Sequence, residues 1–307
     1  MANNSSLSGG LLRKRVNDQG ITAQILVIIF LCINMLLIVT FFKKECFHTS
    51  ARYILFAVML LSDSFMLIMS DFLLILSYFQ YTMQVWLCAI ISVVVLLYSK
   101  VSPVTLTAMT LERYVAICMP LRHAQLCSTR NTMHCILIIY GISSIYCIVI
   151  FLMFFASASY SFYKQNKVCS VEMLIMHSWQ DHVRSAVNQI YSLVMCIIII
   201  FSYDKIMKVA KAASGESKKS TQKGLQTVVL HAFQLLLCLI RLWCPFIEAA
   251  VLRFDVSLYT NVIYFNYIMF SLAPRCLSSL IYGLRDETFF LALKNFVCFG
   301  LTKRNYV

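Results

Sequence analysis

The sequence predicts an all-α integral membrane protein: a seven-transmembrane helix bundle, N-terminus outside, with a short amphipathic helix on the inner surface. Three observations carry this. The 307-residue chain is 60% hydrophobic, with mean hydropathy +0.78 and only 13% charged residues. That apolar surplus exceeds what one water-surrounded core can hide. Its apolar residues fall into seven blocks, each near the roughly 20 residues that a bilayer-spanning helix needs. Finally, basic residues concentrate on alternate connecting segments.

The seven blocks cover about 21–42, 53–78, 86–112, 132–156, 185–207, 228–252 and 258–282. The third carries Lys100, and the fifth is interrupted early by Asn188 and Gln189, so these two are the least uniform. An odd number of spans places the termini on opposite sides. With the N-terminus outside, sixteen of the 26 Lys and Arg residues fall on inner segments and seven on outer ones. The positive-inside rule selects that orientation, against the single dissenting cluster Arg13-Lys14-Arg15.

Residues 1–20 read as an extracellular tail, 21–282 as the membrane domain and 283–307 as a cytoplasmic surface helix and tail. No signal peptide is expected, because the first apolar run is too long for an h-region. Asn3 and Asn4 each open an N-x-Ser glycosylation triplet on the outer tail. Phe289, Phe290, Leu293, Phe296 and Val297 recur at helical spacing, which suits a helix lying on the inner surface, with Cys298 open to palmitoylation or left unmodified.

This composition excludes a disordered chain, a collagen-like repeat and a small disulfide scaffold. The net charge of +13 would suggest nucleic acid in a soluble protein, but here the charges lie between apolar blocks and fix topology instead. Most of the 13 Cys sit inside apolar stretches, and none shows metal-ligand spacing, so no metal or cofactor is expected. His177 and His182 read as solvated loop residues. There is no HExxH, GxSxG or paired catalytic carboxylate, so an enzyme is not expected.

The most specific stretch is MTLERYVAICMPLRH, Met109–His123. It closely resembles the third-helix end of odorant receptors in the rhodopsin-like G-protein-coupled receptor superfamily, where MAYDRYVAICxPLRY is typical. Glu112 replaces the usual Asp and keeps its charge. Other stretches agree in order: FHTSARY (47–53) with LHTPMY, SYDKI (202–206) with SYxxI, KGLQTVVLH (223–231) with KAxxTCxxH, and LSSLIYGLRDE (277–287) with LNPIIYSLRN. The resemblance covers about residues 30–290, and its divergence points to a fish- or amphibian-type receptor.

Several roles follow from this resemblance. Cys88 and Arg113 are 25 residues apart, about 37 Å of helix, so one sits at the outer mouth and the other at the inner face. Cys169, the only Cys between the fourth and fifth blocks, is expected to pair with Cys88 and staple the outer loop across the bundle. Arg113 could be a snorkelling positive-inside charge. As a receptor residue it is instead a latch, held by Glu112 at rest and released to face a G protein. Tyr114, Tyr203 and Tyr282 belong to the same coupling region. So do Lys223, Thr227 and His231, which share one face of the sixth helix at four-residue spacing. Pro245 should kink that helix, and Trp243 matches the W-x-P hinge, where an aromatic lies under the ligand.

The resemblance places the ligand between the third, fifth, sixth and seventh helices, which assigns Leu96, Ser99, Lys100, Asn188, Tyr191, Trp243, Glu248 and Ile268 to the pocket. Charges inside the membrane need partners. Lys100, Arg241 and Arg275 stand against Asp63, Asp71 and Glu248, which permits full neutralisation. Lys100 lies 12 residues inward of Cys88, about 18 Å and near mid-bilayer. It is either a structural partner of Glu248 or Asp71, or a ligand contact. A pocket Lys suits an anion and an exposed Glu248 an amine, and the sequence leaves both open. Asn34, Asp63, Ser102 and Arg275 form a polar cluster. Related receptors can hold sodium there with a seventh-helix Asn. In this chain Ser278 and Ser279 replace the Asn and Pro of that motif, and Arg275 is expected to pair with Asp63 in place of the ion.

The expected function is therefore that of a chemosensory receptor. It binds a small odorant and activates a stimulatory, olfactory-type heterotrimeric G protein to raise cyclic AMP, at the plasma membrane of olfactory sensory cilia. A non-olfactory receptor for a metabolite or hormone is the alternative. A transporter or channel is disfavoured by the lack of an inverted repeat.

Overall fold

The computed structural model describes residues 2–212, 222, 226, 229–230, 232–234, 236–241, 243–277, 279 and 289–294. Among the sites expected above, Lys223, Thr227, His231, Ser278, Tyr282 and Cys298 lie outside these residues.

Apolar helices dominate, as the blocks require. The first runs Ala2–Lys43, with its membrane-spanning part at Asp18–Lys43; the second spans Ala51–Tyr78 and the third Val85–Cys118. The fourth spans Thr129–Ser157 and the fifth Ser178–Ala212, and the sixth is apolar over Ala232–Leu252. The seventh starts at Val256 and stays helical to residue 277, passing through a π-helical stretch at Tyr267–Leu272. The segment expected to be a tail thus continues the first helix beyond its apolar span.

Local chemistry sets the ends. Ser128 caps the fourth helix by accepting from Asn131 N at 3.4 Å, and Asp255 caps the seventh by accepting from Ser257 N at 2.8 Å. The second helix closes on Gln80, whose φ of 51° is left-handed; Tyr81 N then reaches back to Leu76 O at 2.9 Å. Hydroxyls within the spans donate to the carbonyl four residues earlier, as Ser62, Thr105, Thr110 and Ser143 do, so they satisfy themselves in an apolar medium.

The third helix is the axis of the bundle, packing against the second, fourth and fifth. Phe56, Leu60, Val101 and Leu106, all fully or almost fully buried, fill the contact layer. The opposite faces of the fourth and fifth helices, including Ile148, Leu152, Ile190 and Leu193, are exposed, as lipid-facing surfaces should be. The bundle therefore has an outward apolar coat and an inward polar seam.

The expected surface helix is present at residues 289–294, but it is docked against the bundle. Phe289 is 1% exposed, with its ring 5.1 Å from Phe47 and 5.6 Å from Phe56. Phe290 and Leu291 remain exposed. The apolar spacing is thus divided between the bundle core and an outward face.

Candidate functional site

At one end of the bundle the chain between the fourth and fifth helices forms a lid. Its strand β2, Asn166–Val168, pairs antiparallel with β1, Thr82–Gln84, which leads into the third helix. Cys169 follows β2 directly and is bonded to Cys88 in the first turns of that helix, with Cα atoms 5.5 Å apart. Next comes a 3-10 turn at Val171–Leu174, with Leu174 buried on the bundle. The strand pair was not foreseen, since two three-residue strands carry no readable alternation.

A fully buried Gln180 fixes the lid's far end. Its Oε1 accepts from Met176 N at 2.7 Å and His177 N at 3.1 Å. Its Nε2 donates to Met153 O at 3.1 Å and Ser157 Oγ at 2.7 Å. One side chain thereby ties the lid to the fourth helix and satisfies two backbone donors beside the fifth. Sequence reasoning missed it; a lone Gln at a loop-helix junction carries no distinctive signal.

Beneath the lid lies a cavity of about 490 Å³. Leu96, Ser99, Lys100, Asn188 and Tyr191 line it. Lys100 Nζ donates to Asn188 Oδ1 at 2.5 Å and sits 4.4 Å from the centre of the Tyr146 ring. The interruption of the fifth block by Asn188 therefore has a partner across the bundle. Arg184, Arg241, Gln234 and Pro103 also line the cavity and were not anticipated there.

Three expected pocket residues lie elsewhere. Trp243 is 60% exposed and is not among the lining residues. Pro245 has no N–H to continue the ladder, so the sixth helix breaks into turns at Arg241 and Trp243 and restarts at Cys244. The break turns Trp243 outward and leaves Arg241, Pro245 and Phe246 on the cavity. Glu248, one turn on, is also off the lining and accepts from Asn266 Nδ2 at 2.8 Å. Ile268 packs against Val27, Leu67 and Leu272 instead; it sits in the π-helical stretch, whose extra residue per turn rotates the register. The full neutralisation that three cations against three anions permit is not reached: among the described residues, the six intramembrane charges form one ion pair.

That pair is at the cavity floor. Arg275 Nε lies 3.6 Å from Asp63 Oδ1, and Ser102 Oγ donates to the same oxygen at 2.7 Å. Arg275 also donates from Nη1 to Ser271 O at 2.8 Å, which holds the guanidinium in place. Asn34 Nδ2 donates to Ser64 Oγ at 3.2 Å, and Ser279 Oγ hydrogen-bonds Asn34 Oδ1. A sodium ion does not fit this arrangement, because the carboxylate that would bind it already faces a fixed cation.

The other end of the third helix carries the second site. Glu112 Oε2 is 3.7 Å from Arg113 Nε, with the two side chains 8% and 12% exposed. Glu112 Oε1 lies 3.2 Å from His123 Nε2, which reaches in from the short helix Pro120–Leu126. His123 was quoted in the motif but given no role. Burial and the nearby Glu112 carboxylate push the adjacent Cys127 thiol up, so it is not a ready nucleophile. Tyr114 packs on Phe201 with ring centres 5.6 Å apart, while Tyr203 is exposed. The third helix thus joins a lidded polar cavity to a buried ion pair at its opposite end.

Known proteins are similar to this chain in sequence. Residues 33–282 match the family model of the seven-transmembrane receptors of the rhodopsin family. Odorant receptor 131-2 of Danio rerio is 43% identical over 298 residues, covering 97% of this chain and 91% of that receptor. Galanin receptor 2a of Danio rerio is 25% identical over 74% of this chain and 63% of its own length. Galanin receptor type 2 of Mus musculus is 24% identical over 73% and 62%. The chain therefore belongs to the rhodopsin family of seven-transmembrane receptors, and within it to the odorant receptors.

Proposed function

We propose that this receptor is chemosensory: a small extracellular odorant binds in the lidded cavity and activates a stimulatory, olfactory-type heterotrimeric G protein, raising cyclic AMP. The N-terminus and disulfide-bonded lid face outward, the Arg113 end faces the cytosol, and the site of action is the plasma membrane of olfactory cilia. The observation that supports this best is the pairing of sites on one helix. The cavity meets the third helix at Leu96, Ser99 and Lys100, and the Glu112–Arg113 ion pair closes its other end.

The mechanism is a shift between two packings. At rest Glu112 holds Arg113, with His123 as a further partner. A ligand that binds better when the bundle is repacked around the cavity favours the state in which Arg113 is released, and the guanidinium then meets the G protein. Lys223, Thr227, His231 and Tyr282 are the proposed counterparts on the sixth and seventh helices, with Pro245 as the hinge.

Cyclic AMP in cells co-expressing this chain and an olfactory-type stimulatory G protein tests the reading, using amino acids, amines and organic anions as ligands. A response lost in surface-matched Arg113→Ala supports it. A response that survives Arg113→Ala rejects the latch, and ligand-driven current or uptake without a G protein rejects the receptor mechanism.

A further inference from the structure

The cavity's charges are unevenly matched. Arg275 faces Asp63 at 3.6 Å, and Arg184 donates to Asp181 at 2.6 Å. Lys100 has an amide oxygen and a ring as its partners but, among the described residues, no carboxylate at ion-pair distance. Arg241, on the cavity at the kink, has none either. Of the lining acids, Asp63 and Asp181 are thus committed, and Glu172 is exposed on the lid. Glu248, the acid an amine could otherwise seek, is off the lining and held by Asn266.

An ammonium inside a membrane protein is costly without an anion, because an amide and a ring neutralise none of its charge. The surplus is therefore cationic, set at the depth where a small molecule would lie. Carboxylate-bearing ligands gain from it, and amines are repelled. The volume of about 490 Å³ sits in the lower half of the usual small-molecule range of roughly 300–1,000 Å³. Leu96, Met195 and Leu239 supply an apolar wall beside the charge.

We infer that the cavity binds a small organic carboxylate, with its anionic group on Lys100 and its apolar part against Leu96, Met195 and Leu239. This rests on the receptor reading above and adds the chemical class of its ligand. Arg241 supplies long-range attraction, and Asn188 holds the ammonium in position.

The test uses the full chain purified into phosphatidylcholine nanodiscs, melted with straight-chain acids from propanoate to octanoate, benzoate and phenylacetate. The corresponding amides and primary amines are the shape-matched controls. At least one acid should raise the melting temperature where its amide and amine do not. Lys100→Met and Lys100→Gln should weaken its apparent affinity by roughly 10- to 100-fold, the range expected for a charge-assisted hydrogen bond. Lys100→Arg should retain most of it.

Stabilisation by an amine in place of its acid overturns the inference. So does acid stabilisation undiminished in both neutral variants, or no stabilisation by any acid of a cooperatively melting chain. Cyclic AMP separates this failure from that of the receptor reading. Acid binding without G-protein activation refutes that reading alone, whereas an amine-specific, Arg113-dependent response refutes only the carboxylate assignment.

Discussion

Replacing Arg275 by Met should destabilise this receptor strongly, and replacing Asp63 by Asn at the same time should restore much of the loss. Arg275 is 14% and Asp63 1% exposed, and they lie 3.6 Å apart. Their attraction at an effective dielectric of about 20 is roughly 4–5 kcal/mol. Removing one partner strands the other charge in a buried place, at a cost of about 3–5 kcal/mol. The double variant strands neither, so a cycle through Asp63→Asn, Arg275→Met and both should show a coupling of roughly 2–4 kcal/mol. Thermal melting of the purified chain reads this out, with each single variant falling by about 10 °C. Sodium gives a second readout. Wild type should melt identically in sodium and potassium chloride of equal ionic strength, because a guanidinium holds the carboxylate. Sodium-specific stabilisation of wild type, or a coupling below about 1 kcal/mol, would refute the ion-pair account.

Other perturbations test the remaining supports. Cys169→Ser opens a covalent loop spanning 81 positions, which the chain-entropy model values at roughly 4 kcal/mol; surface expression should fall sharply and ligand responses should vanish with it. Gln180→Leu keeps the volume but leaves the Met176 and His177 N–H groups without their acceptor, costing about 2–4 kcal/mol and speeding proteolysis of the lid. Phe289→Ala should cost about 3–5 kcal/mol and reduce hydrogen-exchange protection around Phe47–Tyr53, since that ring closes the corner between them.

The architecture was legible because membrane spans announce themselves by length and apolarity alone. Lys100 was legible for the converse reason: a charge in an apolar block needs an explanation, and its distance from Cys88 placed it at the cavity. The same logic found Asp63 and Arg275. It could not assign partners to Glu248 or Arg241, because partners depend on helix rotation. Pro245 breaks the sixth helix and the π-helical stretch re-phases the seventh, so Trp243, Glu248 and Ile268 left the faces that an uninterrupted register assigns to them. The kink itself was readable from one proline. Gln180 and the strand pair remained hidden, since their roles arise only once distant segments meet.

The third helix shows how the two sites come to share one element. Lys100 and Arg113 are 13 residues apart, about 20 Å along its axis. A rigid rod of that length would only translate a push at one end. But Pro103, which lines the cavity one turn beyond Ser99, removes the backbone bond that the Ser99 carbonyl would otherwise receive. Ser102, just before it, is tied to Asp63, and so to the Arg275 pair on the seventh helix. The missing backbone bond of the third helix therefore lies in the cavity wall itself, on the way to the Glu112–Arg113 pair and beside the link to the seventh helix. A ligand seated on Lys100, as proposed above, would act within one turn of that point. On the proposed reading, its differential affinity for a bent or straightened helix would be felt at the far end, where the Glu112 carboxylate lies 3.7 Å from Arg113 and also meets His123.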